Sequence, residues 1–258
     1  MRSNLLKRIT PVVLTYNEEE NLGRCLEAVS WADTVVILDS GSTDNTEQIA
    51  RNFPNVSWHV RPFDSHQQQW HYAIQNTGIT SEFVLALDAD MEVTPHLLKE
   101  IEDRLDAGHL TGGMIPFEFR YYGRALLGSL YPAQLRLFMK AKVQVKQTDH
   151  TQVFLVDGPV HRFRHPLIHD DRKPLDRWVK AQLDYQRRNE SELSNGGRGR
   201  ARDYLRKLGV MPPLMGALAY VRAGGPFKGA AAARYAYERM ATESILAIRL
   251  MNQRIKRK

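Results

Sequence analysis

The run Phe83-Val84-Leu85-Ala86-Leu87 ends in Asp88-Ala89-Asp90, which puts two carboxylates at the close of an apolar segment. In extended backbone, residues two apart point the same way, so Asp88 and Asp90 can face one cleft. Two neighbouring carboxylates repel each other, and a divalent cation resolves the repulsion. Hard oxygen ligands suit Mg2+ or Mn2+, which keeps some of its water and bridges to substrate phosphates. A cation held on a diphosphate stabilises the negative charge that builds on a departing group. Two further polar clusters follow apolar runs: Thr15-Tyr16-Asn17-Glu18, and Asp39-Ser40-Gly41-Ser42-Thr43-Asp44. Taken singly, each cluster is also an ordinary set of caps and turns, and a lone Asp-X-Asp occurs by chance in many chains.

The elements that must carry these residues are legible from periodicity. Ile9–Leu14, Thr34–Leu38, Val56–Val60 and Phe83–Leu87 are short runs rich in Val, Ile and Leu, the pattern of strands buried on both faces of a parallel sheet. Helical signals fall between them. Asn17 with Glu20, and Asp44 with Glu47, have capping-box spacing, and Leu22, Cys25, Leu26 and Val29 then form one apolar stripe. Cys25 reads there as a small core residue. Strand and helix alternating at such short intervals predict an α/β fold with a doubly wound, mostly parallel sheet. Such sheets bind ligands beyond the carboxyl ends of their strands, where strand order reverses, so all three polar clusters fall on one functional edge. After Asp90 the pattern changes. Gly112–Phe119, Gln134–Met139, Val143–Lys146, Val153–Val156 and Val160–Phe163 predict shorter strands, a mixed extension that completes a substrate cleft. A helix is expected from Pro174 to about Asn189.

The three segments PVVLTYNEEENLGRCLEA, VVILDSGSTDNTEQIA and FVLALDADMEVTP together resemble the family-two glycosyltransferases, which have the GT-A nucleotide-sugar-binding fold. The resemblance is strong from about Thr10 to Leu105 and looser through YPAQLRLF and VDGPVHRFRHPLIHDD. That later part is similar to the bacterial branch that glycosylates lipopolysaccharide core or other lipid-linked acceptors. The resemblance implies that Thr15, Asn17 and Glu18 line the nucleotide pocket and that Asp39 reads the base. It further implies that Asp88 lies near the ribose, that Asp90 is the direct metal ligand, and that a nucleoside-diphosphate sugar is the donor. Inversion at the anomeric carbon is implied too, with an acidic general base on the acceptor side. Asp149 stands about where that base belongs. His150 competes with it, since an imidazole titrates close to neutrality, and Asp157 and Glu118 are weaker candidates.

Two features depart from a simple reading. Many members of the family carry a basic residue before the asparagine of the helix that leads to the fourth strand, where this chain has Gln75-Asn76. Nucleotide contacts from that helix are thereby in question. His161, His165 and His169 share one parity, but Pro166 interrupts them, so a three-histidine metal site is disfavoured; solvated or core-packing histidines are the default, with His169 the one candidate to approach the metal or diphosphate.

Composition sets the frame. The chain has 258 residues, of which 43% are hydrophobic and 25% charged, with one cysteine. That is a globular composition, and it excludes a disulfide framework and a cysteine-rich zinc site. The formal net charge is +7, unevenly spread. Between Arg198 and Lys258 there are 14 Lys/Arg against 3 Asp/Glu, so the first 197 residues carry about −4. The sequence therefore divides into a catalytic domain over 1–190 (nucleotide-binding half about 8–107), a polar, glycine-rich linker over 191–203 and a basic helical tail over 204–258. In the tail, Met211, Leu214, Met215, Leu218 and Val221 have helical spacing, as do Tyr237, Met240, Ile245, Ile248 and Met251. Apolar faces with basic flanks suit a helix lying on an anionic membrane surface, or packing on the catalytic domain. The first twenty residues lack an adequate apolar signal region, and no apolar run approaches the length of a membrane span, so a cytoplasmic location, peripheral on the inner membrane face, is expected.

The resulting expectation is a metal-dependent, inverting glycosyltransferase acting on a lipid-linked or lipopolysaccharide acceptor. Its rivals are a catalytically inactive scaffold of the same fold, left open by Gln75, and a nucleic-acid-binding protein, prompted by the pI of about 9.5. The second rival leaves Asp39, Asp88 and Asp90 unexplained, no RNA or DNA motif is present, and no nucleic acid partner is expected.

Overall fold

The computed structural model describes residues 4–147, 152–194 (backbone alone for 191–194), 204–206 and 208–256. The chain divides into two compact units, Met1–Glu118 with Tyr131–Arg172, and Phe119–Leu130 with Lys173–Lys258.

The first unit is built on a seven-stranded sheet. Its strands are β1 (Ile9–Thr15), β2 (Val35–Asp39), β3 (Val56–Val60), β4 (Phe83–Asp88), β6 (Gly112–Ile115), β9 (Gln134–Met139) and β12 (Val160–Arg162), in the order β12-β6-β9-β4-β1-β2-β3. β3, β2, β1 and β4 run parallel, and β12 runs parallel to β6, whereas β9 is antiparallel to both neighbours. The sheet is thus mostly parallel, as expected. Alternate residues serve opposite faces. Val13, Val35, Ile37, Phe83, Leu85 and Leu87 join one core with Leu22, Cys25 and Leu26 of α1 (Leu22–Ala28) and Leu97, Ile101 and Leu105 of α4 (Pro95–Asp106). Val12, Val36, Leu38, Val84, Ala86 and Phe138 join the other with Trp70, Ala73 and Ile74 of α3 (His66–Gln75) and Phe154. Burying one such Leu or Ile side chain stabilises by about 1.5–3 kcal/mol, so the continuous apolar runs are what the two-sided burial demands.

The extension after Asp90 is a set of short pieces. β5 (Met91–Val93) pairs antiparallel with β13 (Leu167–His169), and β10 (Val143–Gln147) with β11 (Gln152–Val156). The single strand expected over Gly112–Phe119 breaks at Pro116, which lacks an N–H for the ladder, into β6 and β7 (Phe117–Tyr121). β13 was not foreseen as a strand, and it separates His169 from His161 and His165.

In the second unit, β8 (Arg124–Ala125) pairs back on the end of β7. The unit's long helices are α5 (Leu175–Ser194), α6 (Met211–Arg222) and α7 (Gly229–Lys256). The remainder of the expected linker, 195–203, lies outside the described residues. α6 packs on α7 through small residues: a Cβ at Gly216 would come within 3.3 Å of Met240 Cβ. Ala219, Ala223, Ala231, Ala232 and Tyr235 form the shared core with Leu126. Arg206 pairs with the buried Glu243, and Glu190 accepts from Arg249 and Gln253, tying α5 to α7.

Candidate active site

The candidate site lies within the first unit, at the carboxyl ends of β1, β2 and β4. β1 has β2 on one side and β4 on the other, so the strand order reverses there. The register sets Thr15 beside Asp39 and Leu14 beside Asp88.

Asp39 is 2% exposed and is held from four directions. Its Oδ1 accepts from Thr15 Oγ1 at 2.8 Å and Ser42 Oγ at 2.5 Å; its Oδ2 accepts from the Gly41 and Ser42 amides at 2.8 and 2.7 Å. Four acceptances fill a carboxylate's lone-pair positions. Gly41 adopts φ +91°, the left-handed turn that brings both amides onto Oδ2. The clasp extends to β1, because the Asn17 amide donates to Ser42 Oγ at 2.7 Å and Asn17 Oδ1 accepts from the Thr43 amide at 2.7 Å. Asn17 itself has φ +54°, so it turns the chain after β1. The helix cap expected of Asn17 is therefore a correction: α1 starts only at Leu22, and the Asn17 side chain crosses to the β2 loop. Asp44 does act near a helix start, accepting from the Thr46 amide at 3.0 Å at the head of α2 (Thr46–Arg51).

Glu18 accepts from Asn21 Nδ2 at 3.0 Å, and Asn21 is the hub of a second network. Fully buried, it also donates to Asp171 Oδ1 and accepts from Arg24 Nη2 and the Arg172 amide. Asp170, 1% exposed, binds Arg172 and lies 3.6 Å from Arg24. The Asp170 amide in turn donates to the Asp90 carbonyl at 3.0 Å. These bonds weld the segment after β13 to the turns after β1 and β4. As a result His169 Nε2 sits 3.5 Å from Asp90 Oδ2.

Asp88 meets a cation that sequence reading missed. Arg136, on β9, is 5% exposed and donates to Asp88 Oδ2 at 3.1 Å. It is held by Gln134 Oε1 and by the Phe117 ring, whose centroid is 5.6 Å from the guanidinium. Desolvation at the strand ends pushes the Asp88 carboxyl upward. The charge and hydrogen bond of Arg136, with His169 and His66 contributing, outweigh it and hold the group below the usual carboxylate range. Cys25 lies beneath, its Sγ 3.8 Å from the Asp88 carbonyl. Burial, then the neighbouring carboxylates, pushes that thiol up and leaves it the core residue expected.

The other expected residues fall elsewhere. His161 and His165 gather on Glu100 at 3.8 and 2.8 Å, apart from His169. Gln75 lines a cleft with Ser81, Glu82 and Lys140, at the start of β4 and so at the opposite edge from Asp88. The start of α3 is what reaches the site, where Gln69 donates to Ser40 Oγ at 2.9 Å. Asp157 precedes Gly158, whose Cβ position would strike Thr111 at the amino-terminal end of β6. It too is at the far edge, whereas Glu118 follows the carboxyl end of β6. Asp149 and His150 lie outside the described residues. Glu19, Glu20 and Asp44 converge within 4.8 Å of one another, but Asp44 accepts from the Glu19 amide and Glu19 from Asn45, a clasp between loops.

The profile of glycosyl transferase family 2 matches residues 11–154, more than half of the chain, and takes in the turns after β1, β2 and β4 but not His169 to Arg172. The chain belongs to glycosyl transferase family 2. Among the curated proteins it resembles is glycosyltransferase AglE of Haloferax volcanii, 29% identical over 58% of this chain and 52% of the relative. The lipopolysaccharide core biosynthesis glycosyltransferase LpsC of Rhizobium meliloti is 26% identical over 38% of this chain and 37% of its own length. The chain thus spans about half or less of the curated relatives it matches. Among solved structures, S. aureus TarS 1–349 in complex with UDP-GlcNAc superposes with a TM-score of 0.51, covering 96% of this chain and 92% of that one. At 13% identity the likeness is one of fold, and it gives the family-two chain the GT-A architecture.

Proposed function

We propose that this family-two chain is an inverting glycosyltransferase that moves a sugar from a nucleoside-diphosphate donor to a lipid-linked or lipopolysaccharide acceptor. The observation that carries the reading is the meeting of Asp88, Asp90 and His169 at the β1/β4 reversal, 3.5 Å separating the Asp90 and His169 donor atoms. The carboxylate oxygens fit Mg2+ or Mn2+, and the imidazole nitrogen favours the softer Mn2+ of the two. Asp90, with His169, would hold the cation, and Asp88 would lie toward the ribose. When bound, the cation supplies Lewis-acid stabilisation of the leaving diphosphate.

Thr15, Asn17, Glu18 and Asp39 form the nucleotide side. Asp39 shapes it by fixing the Gly41-Ser42 turn, and a direct contact to the base requires exchange of one of its four hydrogen bonds. On the acceptor side, Asp149 takes the proton of the attacking hydroxyl. The acceptor oxygen then bonds the anomeric carbon as the bond to the diphosphate breaks, giving a β-linkage from an α-donor. The stem next to Asp149 supports this role: Gln147 and Val145 of β10 bond Gln67 at the start of α3. The complex of TarS with UDP-GlcNAc favours a uridine donor, and the description of LpsC favours a lipopolysaccharide-type acceptor. Among the described residues no helix is long and apolar enough to cross a membrane. Access to such an acceptor then comes from peripheral attachment at the inner membrane face, through the basic tail.

Calorimetric titration tests the donor site, with a panel of nucleoside diphosphates and their sugars, with and without Mn2+. Metal-dependent binding by the wild type that Asp90→Ala abolishes is the expected result. Folded protein that binds nothing in the panel would overturn the reading.

A further inference from the structure

In the second unit, one helix carries an apolar face that its own core does not use. Gly216 and Ala219 of α6, with Ala223 just after it, turn inward to α7, and Met211 is buried with them. Leu214, Leu218 and Val221, at i, i+4 and i+7, stand on the outer face at 50%, 49% and 74% exposure. This divides the stripe expected from sequence, which had grouped Met211 with Leu214, Met215, Leu218 and Val221; Met215 is half-buried between the two faces. On α7 the large buried side chains include Tyr235, Leu246 and Leu250, whereas Tyr237, Ile248 and Met251 of the stripe read from sequence are exposed.

The turn after α6 continues the same surface. Gly224, Gly225 and Gly229 all have positive φ, at 105°, 50° and 52°, and between them Pro226, Phe227 and Lys228 form one short helical turn. Left-handed backbone at both ends fixes the direction of this turn. Phe227 is left 95% exposed on it, where a large aromatic gains nothing from the protein's own core. Leu127, also mostly exposed, is bonded through its amide to the Ala223 carbonyl, and it flanks Gly224 together with Lys228. Leu127, Leu214, Leu218, Val221 and Phe227 are thus large exposed apolar side chains grouped on the outer face of α6 and at the turn that follows it.

Charge says what covers it. No Asp or Glu occurs between Tyr204 and Tyr237, whereas Arg206, Lys207, Arg222, Lys228 and Arg234 do. The exposed Arg222 and Lys228 border the apolar face itself. A protein–protein interface typically carries a polar rim and many hydrogen-bonding groups. Apolar side chains bordered by cations alone instead match the boundary between acyl chains and anionic headgroups.

We propose that the outer face of α6 and the Gly224–Gly229 turn form the surface that seats this chain on an anionic membrane. Phe227, Leu218 and Val221 enter the interface, and Arg222 and Lys228 contact lipid phosphates. The proposal gives a place to the peripheral attachment inferred above and rests on that part of the reading, but neither donor nor acceptor is needed to test it.

The test is flotation of the full chain with vesicles of phosphatidylcholine alone or with 30% phosphatidylglycerol as the stated anionic lipid. Wild type is expected to float with the anionic vesicles and to be released by high salt. The double variant Val221→Asp, Phe227→Asp, which alters exposed side chains alone, is expected to float at least tenfold less with an unchanged melting profile. Arg222→Ala with Lys228→Ala should weaken flotation on the anionic vesicles. Nucleotide titration of the same variants should be unaltered, so a failed donor site and a failed membrane surface give separate results. Three outcomes would overturn the proposal: wild type that ignores anionic vesicles, a double variant that floats as well as wild type, or a greater loss for Ile248→Asp on α7. Sedimentation showing a dimer that Val221→Asp, Phe227→Asp dissociates would assign the face to a second copy and overturn it as well.

Discussion

Asp39 and Asp88 hold equivalent places, each the last residue of a parallel strand beside β1 or within one strand of it, and the fold treats them in different ways. Asp39 spends its carboxylate on four bonds from its own loops. Asp88 shares one oxygen with a buried arginine and keeps its side chain 44% exposed, while Asp90 stands by an imidazole. One end of the site is a closed polar clasp that sets the shape of loops. The other is a group of charges fixed in place but open to a ligand. A carboxylate at a strand end therefore does not declare its work; the donors around it decide whether it organises the protein or meets the substrate.

The comparison can be broken at its strongest point by Asp90→Ala. Sugar transfer should fall by about three orders of magnitude or more, the scale expected when several kcal/mol of leaving-group stabilisation disappear. Metal-dependent nucleotide binding should vanish with the melting temperature unchanged. Asp39→Ala should do the reverse in kind. It strands two hydroxyls and two amides, and urea unfolding should show a loss of about 3 kcal/mol. Full stability with lost binding would mean that Asp39 meets the base directly and that its clasp is incidental. Arg136→Met sharpens the other end: transfer should drop about tenfold to a hundredfold as Asp88 loses its positioning cation, read from kcat at saturating donor. The pH response has a definite sign. Because Asp88 sits below the usual carboxylate range in the folded chain, the stability it contributes is complete above that range and is lost as pH falls through its folded value. Acid unfolding of Arg136→Met should accordingly begin at higher pH than in wild type. The smallest effect belongs to Gln75→Ala, at the opposite edge: donor affinity within about 0.5 kcal/mol of wild type, as for surface changes away from any site.

Much of this was legible in the sequence for a physical reason. A strand buried on both faces needs a continuous apolar run, so Ile9–Thr15, Val35–Asp39 and Phe83–Asp88 appear within one or two residues of where periodicity puts them. Polar residues that end such runs must lie at the carboxyl edge, so Thr15, Asp39 and Asp88 came together as expected. Asn17 misled because capping-box spacing is a local pattern, and here a positive φ and a neighbouring loop claimed the side chain instead. Gln75 misled in the other direction. A ten-residue helix carries its last residue about 15 Å from its first, so a helix that touches the site at Gln69 ends well away from it.

The sequence by itself determined the α/β class, the strand edge on which chemistry gathers and the concentration of positive charge toward the end of the chain. These follow from periodicities and compositions spanning a few residues to a few dozen. Only the tertiary structure decided which cation stands by Asp88, because Arg136 is 48 residues away and reaches it through an antiparallel strand. It alone decided that Asn21 would bind Asp171, 150 residues on, and so bring His169 to Asp90. It also decided which side of α6 is buried, since helical spacing makes Met211 and Leu214 neighbours and only the packing of Gly216 against Met240 chooses between them. Local pattern fixes what an element is. Long-range contacts, made at separations that leave no periodic trace, fix what each of its side chains is for.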